Sequence, residues 1–366
     1  MIREGKFGVS EAVCLTAITI TTKVFYTSPA MLADLLATSA WYSTLISSAT
    51  AMLGFTFIYL LLKRFPDKDI TEIYKITFGR LAGPVFSLVL ALFLLLISFA
   101  TLREFIDVFK VYVMPRSSVS YLILIFIAVA AVFCFYGLES IARFSRLCAY
   151  ILLAGLGIVL ILSYQNYRLK YLFPFWGRGL GITVLHGLMR SSSYGEVIIL
   201  AVIASSLQGA KYIKKAGFIS LAISGLLISV SLLAFTLTFP YTVGSEITSS
   251  MYELTMQIGY GRFVQRLDPI FLFVWIISSF ITVSVLLYGA LSIYSKVFDI
   301  NDLRPCILPF FTIVFCLTFM PRDIETVRSS YIQNIRSYGW IIFYVMPLAA
   351  LITAVMRKKK GAAGSA

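Results

Sequence analysis

Lys23 falls in the middle of a hydrophobic stretch, within I-T-I-T-T-K-V-F-Y-T-S-P (18–29). An ammonium at that depth costs several kcal/mol unless it is paired, hydrated or neutralised, so Lys23 is expected to face the interior of a bundle. Its amine either replaces a bound sodium ion and titrates as a proton site, or forms a structural pair with Glu104 or Glu196; snorkelling to a surface is the third option. Around it, Thr19, Thr21, Thr22, Tyr26, Thr27 and Ser28 supply hydroxyls ahead of Pro29. β-Branched residues before a proline disfavour continuous helix, and the amides and carbonyls freed there suit a carboxylate and a cation respectively. The alternative is a kinked helix whose hydroxyls bond back to its own carbonyls.

A second polar cluster, G-L-M-R-S-S-S-Y-G-E (187–196), interrupts another apolar run. Ser191, Ser192, Ser193, Tyr194 and Gly195 offer hydroxyls and a pliable backbone, and a half-helix beginning beyond Gly195 would welcome a ligand carboxylate. Arg190 and Glu196 could instead pair across the turn. Further along the chain, Arg103, Glu104, Asp107 and Lys110 share one apolar segment. The spacing of Arg103, Asp107 and Lys110 predicts a ladder on one helix face, which leaves Glu104 on a neighbouring face as the candidate proton or water-path carboxylate. Ser278, Ser279, Thr282, Ser284 and Tyr288 form a polar stripe; Ser284 and Tyr288 are expected to face the pocket, and about half of the stripe to serve interhelical packing.

Enzyme chemistry finds little support. The lone His186 has no ligand partner at helical spacing, and the five cysteines are scattered without C-x-x-C, so neither a metal site nor a disulfide frame is expected. G-R-G-L-G (177–181) lacks a preceding strand and reads as a turn; no cofactor is implied.

These residues must be positioned by membrane spans. Of 366 residues 59% are hydrophobic and 13% charged, the balance of a polytopic membrane protein. The net charge of +14 is assigned to loops and lipid headgroups and not to nucleic acid, because no basic stripe with interleaved stacking aromatics lies outside the apolar segments. Ten spans are expected, near 9–36 (interrupted), 40–62, 82–113, 119–137, 145–165, 181–207 (interrupted), 213–239, 265–296, 305–320 and 338–356. With the N-terminus inside, eighteen Lys and Arg fall in cytoplasmic positions and nine outside, which predicts cytoplasmic N- and C-termini. The first apolar run is read as an uncleaved helix.

Ten spans divide into five plus five, and an odd number per half inverts the second half. The first span of each half is broken and the third is long. An all-α integral membrane fold follows, a five-plus-five inverted repeat with helices 1 and 6 unwound at mid-membrane. The expected organisation is one transmembrane domain, 1–360, with repeats near 7–165 and 181–356; G-A-A-G-S-A (361–366) reads as an appended remnant. A piece bracketed by glycines, 247–258, could lie along the outer surface or cap a vestibule.

The phrases T-K-V-F-Y-T-S-P in the first span, L-R-E-F-I-D-V-F in the third and the following V-M-P-R-S resemble endospore germination permeases, the B subunits of germinant receptors, within the amino acid/polyamine/organocation superfamily and its LeuT-like fold. The resemblance covers Phe7 to Met356. It implies a sensor in the inner spore membrane that binds a small germinant, often an amino acid, beside an A subunit and a C-subunit lipoprotein. It places the pocket on Thr22, Ala100, Glu104, Tyr194, Gly195, Ser284 and Tyr288. Many family members carry glycines around the first break where this chain has Thr22, Lys23 and Val24. With the residues read directly, the expected ligand set is Thr22, Lys23, Tyr26, Ala100, Ser191, Ser193, Tyr194, Gly195, Ser284 and Tyr288, and the proton or ion path Lys23, Glu104 and Glu196. A proton-coupled amino acid symporter is the alternative function, and a structural scaffold without a saturable ligand the third.

Overall fold

Hydrocarbon offers a peptide group no hydrogen-bond partner, so a chain this apolar satisfies its backbone within helices. The computed structural model describes residues 7–207, 209–260, 264–265 and 267–360. Residues 361–366, read above as an appended remnant, and four of the charges used for orientation, Arg3, Lys6, Arg262 and Arg266, lie outside the described residues.

The helices are α1 (Val9–Thr21), α2 (Ser28–Leu36), α3 (Ala40–Arg64), α4 (Ile70–Phe78), α5 (Ala82–Tyr112), α6 (Val119–Tyr136), α7 (Leu138–Leu162), α8 (Leu180–Met189), α9 (Ile199–Val202), α10 (Ala210–Thr238), α11 (Tyr241–Gly244), α12 (Ser250–Met256), α13 (Asp268–Val297), α14 (Arg304–Leu317), α15 (Ile324–Thr326), α16 (Gln333–Trp340) and α17 (Met346–Met356). Among the described residues, seven helical stretches are long and apolar enough to cross a bilayer. Of the interrupted stretches, α1, α8 and α9 fall below that length and α2 qualifies only as the start of the run Ser28–Arg64 that continues through α3, while α14, with 14 residues and Pro309 inside it, is short of the roughly 20 that a perpendicular crossing needs. A two-residue antiparallel ribbon pairs Gly259 with Gln265 and Tyr260 with Val264.

The long helices pack as α5 along α13 and α3 along α10, with α1 held between α10, α7 and α13. Serines stitch these contacts, as expected where lipid competes for apolar surface: Ser48 Oγ donates to Leu221 O (3.1 Å), Ser229 Oγ to Trp41 O (2.9 Å) and Ser224 Oγ to Ala17 O (3.3 Å).

One end of the bundle is basic and cross-tied. Arg357 Nη1 donates to Thr77 O (3.3 Å) and Lys359 Nζ to Ile76 O (2.6 Å), so the C-terminal tail caps the orphan carbonyls of α4. The other end of α4 is capped by Asp69, which accepts from the amides of Thr71 (2.8 Å) and Glu72 (3.0 Å) and pairs with Lys296 (3.0 Å). Hydropathy alone did not anticipate α4, a short helix with polar residues on one face.

The loop before α8 presses onto the α2–α3 junction. Gly177 (φ +54°) sits where a Cβ would stand 2.2 Å from Leu36 O, and Thr38 Oγ1 donates to Pro174 O. The expected surface piece 247–258 contains α12, but it is buried against α13 and α10 instead of lying flat on the membrane. Ser249 Oγ, just ahead of it, donates to Phe25 O (3.1 Å) and so covers the first break.

The last apolar stretch, Ile324–Met356, is one run of helix containing two π-helical pieces, Val327–Ile332 and Ile341–Val345, on either side of α16. Such expansions often accompany functional sites. Here they flank the helix that faces the second polar cluster.

Candidate functional site

The first polar cluster does interrupt its helix. α1 ends at Thr21, Thr22–Phe25 tightens into a 3₁₀ turn, Tyr26 is extended (φ −100°, ψ −155°), and α2 starts at Ser28 with Pro29 in its first turn, where the missing proline N–H costs nothing. Two threonines also bond back to the helix: Thr19 Oγ1 donates to Leu15 O (2.7 Å) and Thr22 Oγ1 to Ile18 O (2.7 Å). The segment therefore combines both sequence expectations, a true break preceded by back-bonded hydroxyls.

The second cluster behaves differently. Arg190–Ile198 is overwound into nine residues of 3₁₀ helix between α8 and α9 instead of being unwound. Runs of this geometry longer than three or four residues are uncommon, because side chains three apart eclipse. The chain is held there from outside: Tyr344 OH donates to Ser191 O (3.1 Å), Ser192 Oγ to Arg336 O, and Tyr194 OH to Thr44 O (3.1 Å).

Lys23 joins the two breaks. Its Nζ lies 2.8 Å from both carboxylate oxygens of Glu196 and donates to the carbonyl of Ser193. Lys23 is 6% exposed and Glu196 8%. Of the two carboxylates weighed as its partner, Glu196 takes the role. Glu104 is occupied elsewhere: its Oε1 accepts from the Thr27 amide (3.0 Å) and from the Thr27 hydroxyl, capping the start of α2. The amide expected to await a ligand carboxylate is thus held by the protein's own carboxylate. Arg190 does not pair with Glu196; its Nη1 reaches Gln333 Oε1 (3.3 Å).

Two small chambers flank the Lys23–Ser193 contact. One, on the α5 side, has a volume of about 20 Å³ and is lined by Lys23, Tyr26, Ile97, Thr101, Ser192, Ser193, Glu196, Thr282 and Arg336 among others. The other, on the α3 side, measures about 30 Å³ and is lined by Lys23, Ser28, Thr44, Ser47, Arg190, Ser193, Tyr194 and Arg336 together with apolar residues. Lys23, Ser193 and Arg336 border both. Each chamber has room for a water or two. Even the smallest amino acid requires the partition between them to move, so this is a closed arrangement.

Of the expected ligand residues, Lys23, Tyr26, Ser193 and Tyr194 line these chambers. Tyr26 is fixed by its hydroxyl on Ser279 Oγ (2.8 Å) and by Trp275, whose ring lies 6.3 Å away. Thr22 lines neither chamber; it borders a separate apolar cavity between α1, α7 and α10 and receives a hydrogen bond from Thr282 Oγ1 (3.0 Å). The structure does not bring the other five to either chamber. Ser191 presents its carbonyl to Tyr344, as above. Gly195 is packed against Phe343 so closely that a Cβ would stand 1.8 Å from Cδ2 of the ring; its glycine serves a helix contact and not a ligand. Ala100 is fully buried, while Ile97 and Thr101, four apart on α5, take the chamber face. Ser284 and Tyr288 sit on another face of α13, where Cys134 Sγ contacts Ser284 O (3.6 Å); Thr282, a member of the same stripe not chosen for the pocket, faces the α5-side chamber instead. The third-span ladder forms in part, with Arg103 Nε on Asp107 Oδ2 (2.8 Å), while Lys110 forms no ion pair with the described residues.

Arg336 was not anticipated as a site residue. It was counted among the outside charges, yet it is 8% exposed, borders both chambers and donates from Nη1 to Ser193 Oγ (3.2 Å). The polar run Q-N-I-R-S-Y around it carries no hydropathy signal for a buried helix, so the sequence offered no pointer to Arg336. Two further cavities hold less chemistry. One of about 80 Å³ between α1, α7 and α10 has no charged lining residue, and a groove of about 460 Å³ between α6 and α14 carries Arg304 at its rim.

Solved structures share this architecture. A nucleobase-cation-symport-1 family transporter, Mhp1, in a closed conformation with bromovinylhydantoin bound, superposes with a TM-score of 0.64 over 96% of this chain and 90% of its own, at 12% identity. A substrate-bound, outward-open Na⁺-coupled sialic acid symporter gives 0.66 over 94% and 79%, also at 12% identity. The fold is therefore the LeuT-like one of these transporters. Among curated sequences, spore germination protein KB of Bacillus subtilis (strain 168) is 24% identical over 336 residues, 88% of each chain, and spore germination protein B2 of the same organism is 21% identical over 366 residues, 98% of each. The profile of the family described as spore germination protein matches residues 8–327, and the chain belongs to that family.

Proposed function

We propose that this chain is the B-type subunit of a spore germinant receptor, which binds a small germinant, an amino acid in keeping with the facing cations and acceptors of its two chambers, between its two interrupted helices and passes the resulting change to partner subunits. The observation that carries this reading is the Lys23–Glu196 pair, which ties one break to the other across two polar chambers. A ligand shifts an equilibrium only through its differential affinity for two states. Seated between the chambers, it would have to part Lys23 from Glu196 or Ser193 and replace those contacts with its own. The 3₁₀ run at 190–198 and the π-helical pieces beside α16 are the irregular elements through which such a change would travel.

In this reading the protein lies in the inner spore membrane beside an A subunit and a C-subunit lipoprotein, as one transmembrane domain of two inverted repeats near 7–165 and 181–356. The basic, cross-tied end that holds Arg64, Arg357 and Lys359 faces the cytoplasm, in keeping with the excess of positive charge retained there. The role is that of a receptor or permease and not of an enzyme.

A proton-coupled amino acid symporter is the second reading, and Glu104 favours it. This carboxyl is fully buried, and its Oε2 has no hydrogen-bond partner. Purified protein in liposomes separates the two. The receptor reading predicts saturable thermal stabilisation by a member of an amino acid panel with no concentrative uptake, because a ligand that binds only the native state stabilises by RT ln(1 + [L]/Kd). Uphill accumulation driven by a proton gradient would establish the symporter in its place.

A further inference from the structure

The α3-side chamber is lined by three cations and no carboxylate. Lys23 borders it but is satisfied on its other side by Glu196. Arg190 and Arg336 have no such partner: neither forms an ion pair with a described residue. Arg190 is 4% exposed, and its Nη2 makes no hydrogen bond; Arg336 is 8% exposed, and its Nε makes none. A third orphan, the Ser28 hydroxyl, lines the same chamber. Guanidinium remains charged at any physiological pH, and two of them around one cavity repel each other. Buried charges are retained when they are paired; with Lys23 balanced by Glu196, and Arg336 within electrostatic reach of Glu104 but not in contact with it, the three cations still lack one negative charge.

We propose that the α3-side chamber is an anion site, in which Arg190 and Arg336 hold a small monovalent anionic group with the Ser28 hydroxyl as an additional donor. The group is either the carboxylate of the small-molecule ligand or a free halide. The inference deepens the pocket reading above and rests on it for the first of these sources. Glu104 strengthens it from the far side of the break: with the Thr27 amide already capped, a ligand carboxylate finds its open donors at the two arginines. The partition formed by Lys23 and Ser193 then lies between the anion and the α5-side chamber, where Glu196, Thr101 and Thr282 present acceptors suited to an ammonium group.

The test is the thermal unfolding of the purified full chain in a bulky zwitterionic buffer free of halide, titrated with sodium chloride, with acetate against acetamide, and with L-alanine against L-alaninamide. The anion site predicts that chloride or acetate raises the midpoint and acetamide does not. Arg190→Gln and Arg336→Gln should each raise the half-saturating concentration by about 30-fold or more, the usual consequence of removing one partner of a buried charge contact. If either variant fails to fold, Arg190→Lys and Arg336→Lys, which keep the charge but lose the fork of donors, should still weaken the response about tenfold. Stabilisation by alanine through the same arginines, with alaninamide inert, assigns the anion to the ligand; stabilisation by chloride alone assigns it to a free ion and counts against the pocket reading. Equal stabilisation by the neutral or cationic amides would overturn the anion site while leaving the pocket reading intact. No response to any anion, or a response unchanged in all arginine variants, would overturn it as well.

Discussion

Lys23 Nζ lies 2.8 Å from both oxygens of the Glu196 carboxylate, joining two helix interruptions that are 173 residues apart in the chain. Both residues are more than nine-tenths buried, so the contact is held in a medium where losing either charge leaves the other uncompensated. Lys23→Met and Glu196→Gln should therefore each destabilise the protein by about 3–5 kcal/mol, and the double variant by clearly less than their sum. Thermal or denaturant unfolding in detergent measures this cycle. Additive losses would show that the two residues act separately.

Glu104 acts on the first break as a cap. Glu104→Gln keeps an oxygen for the Thr27 amide and gives up the charge, so it should cost about 1 kcal/mol, whereas Glu104→Ala leaves the Thr27 amide without a partner and should cost about 1–3 kcal/mol. Hydrogen exchange at the amides of α2 provides a local readout. Faster exchange in Glu104→Ala than in Glu104→Gln is the expected result, and equal rates would remove the capping role.

Tyr26 and Ser279 make an asymmetric pair. In Tyr26→Phe the Ser279 hydroxyl loses only a donor and keeps the acceptor it donates to, Trp275 O at 2.7 Å, so the loss should be about 1 kcal/mol or less. In Ser279→Ala the buried Tyr26 hydroxyl loses the partner it donates to, with a larger expected cost of about 1–3 kcal/mol. Unfolding midpoints in the reverse order would contradict this assignment of donor and acceptor.

Gly195 is a packing residue. Gly195→Ala forces a methyl group into the Phe343 ring and should destabilise by at least about 1–3 kcal/mol, with partial recovery in Gly195→Ala/Phe343→Leu. A ligand role for Gly195 predicts instead that Gly195→Ala folds as well as the wild type and loses only binding.

The positions of the interruptions were legible in the sequence because polar runs within apolar ones have few explanations in hydrocarbon. The charge of Lys23 demanded a partner for the same reason, and Glu196 was one of the two weighed. The character of the second interruption was not legible. Whether R-S-S-S-Y-G-E unwinds or overwinds depends on Tyr344, Arg336 and Thr44, which reach it from distant segments. Rotation of a helix about its axis was equally hidden: hydroxyls on α13 fall on more than one face, and only the packing of α1, α5 and α6 around it turns Ser278, Ser279 and Thr282 toward the first break and leaves Ser284 and Tyr288 elsewhere. The same rotation on α5 puts Ile97 and Thr101 where Ala100 was expected. Arg336 escaped notice because Q-N-I-R-S-Y looks like a loop by hydropathy, and only the π-helical pieces to either side carry the helix through it.

The most direct measurement is a cryo-EM structure of the full chain with the amino acid that stabilises it in the thermal screen. The predicted result is density for the ligand between the α5-side and α3-side chambers, with Lys23 withdrawn from Glu196 or from the Ser193 carbonyl to admit it. Ligand bound elsewhere, with the Lys23–Glu196 contact still at 2.8 Å and both chambers unchanged, would contradict it.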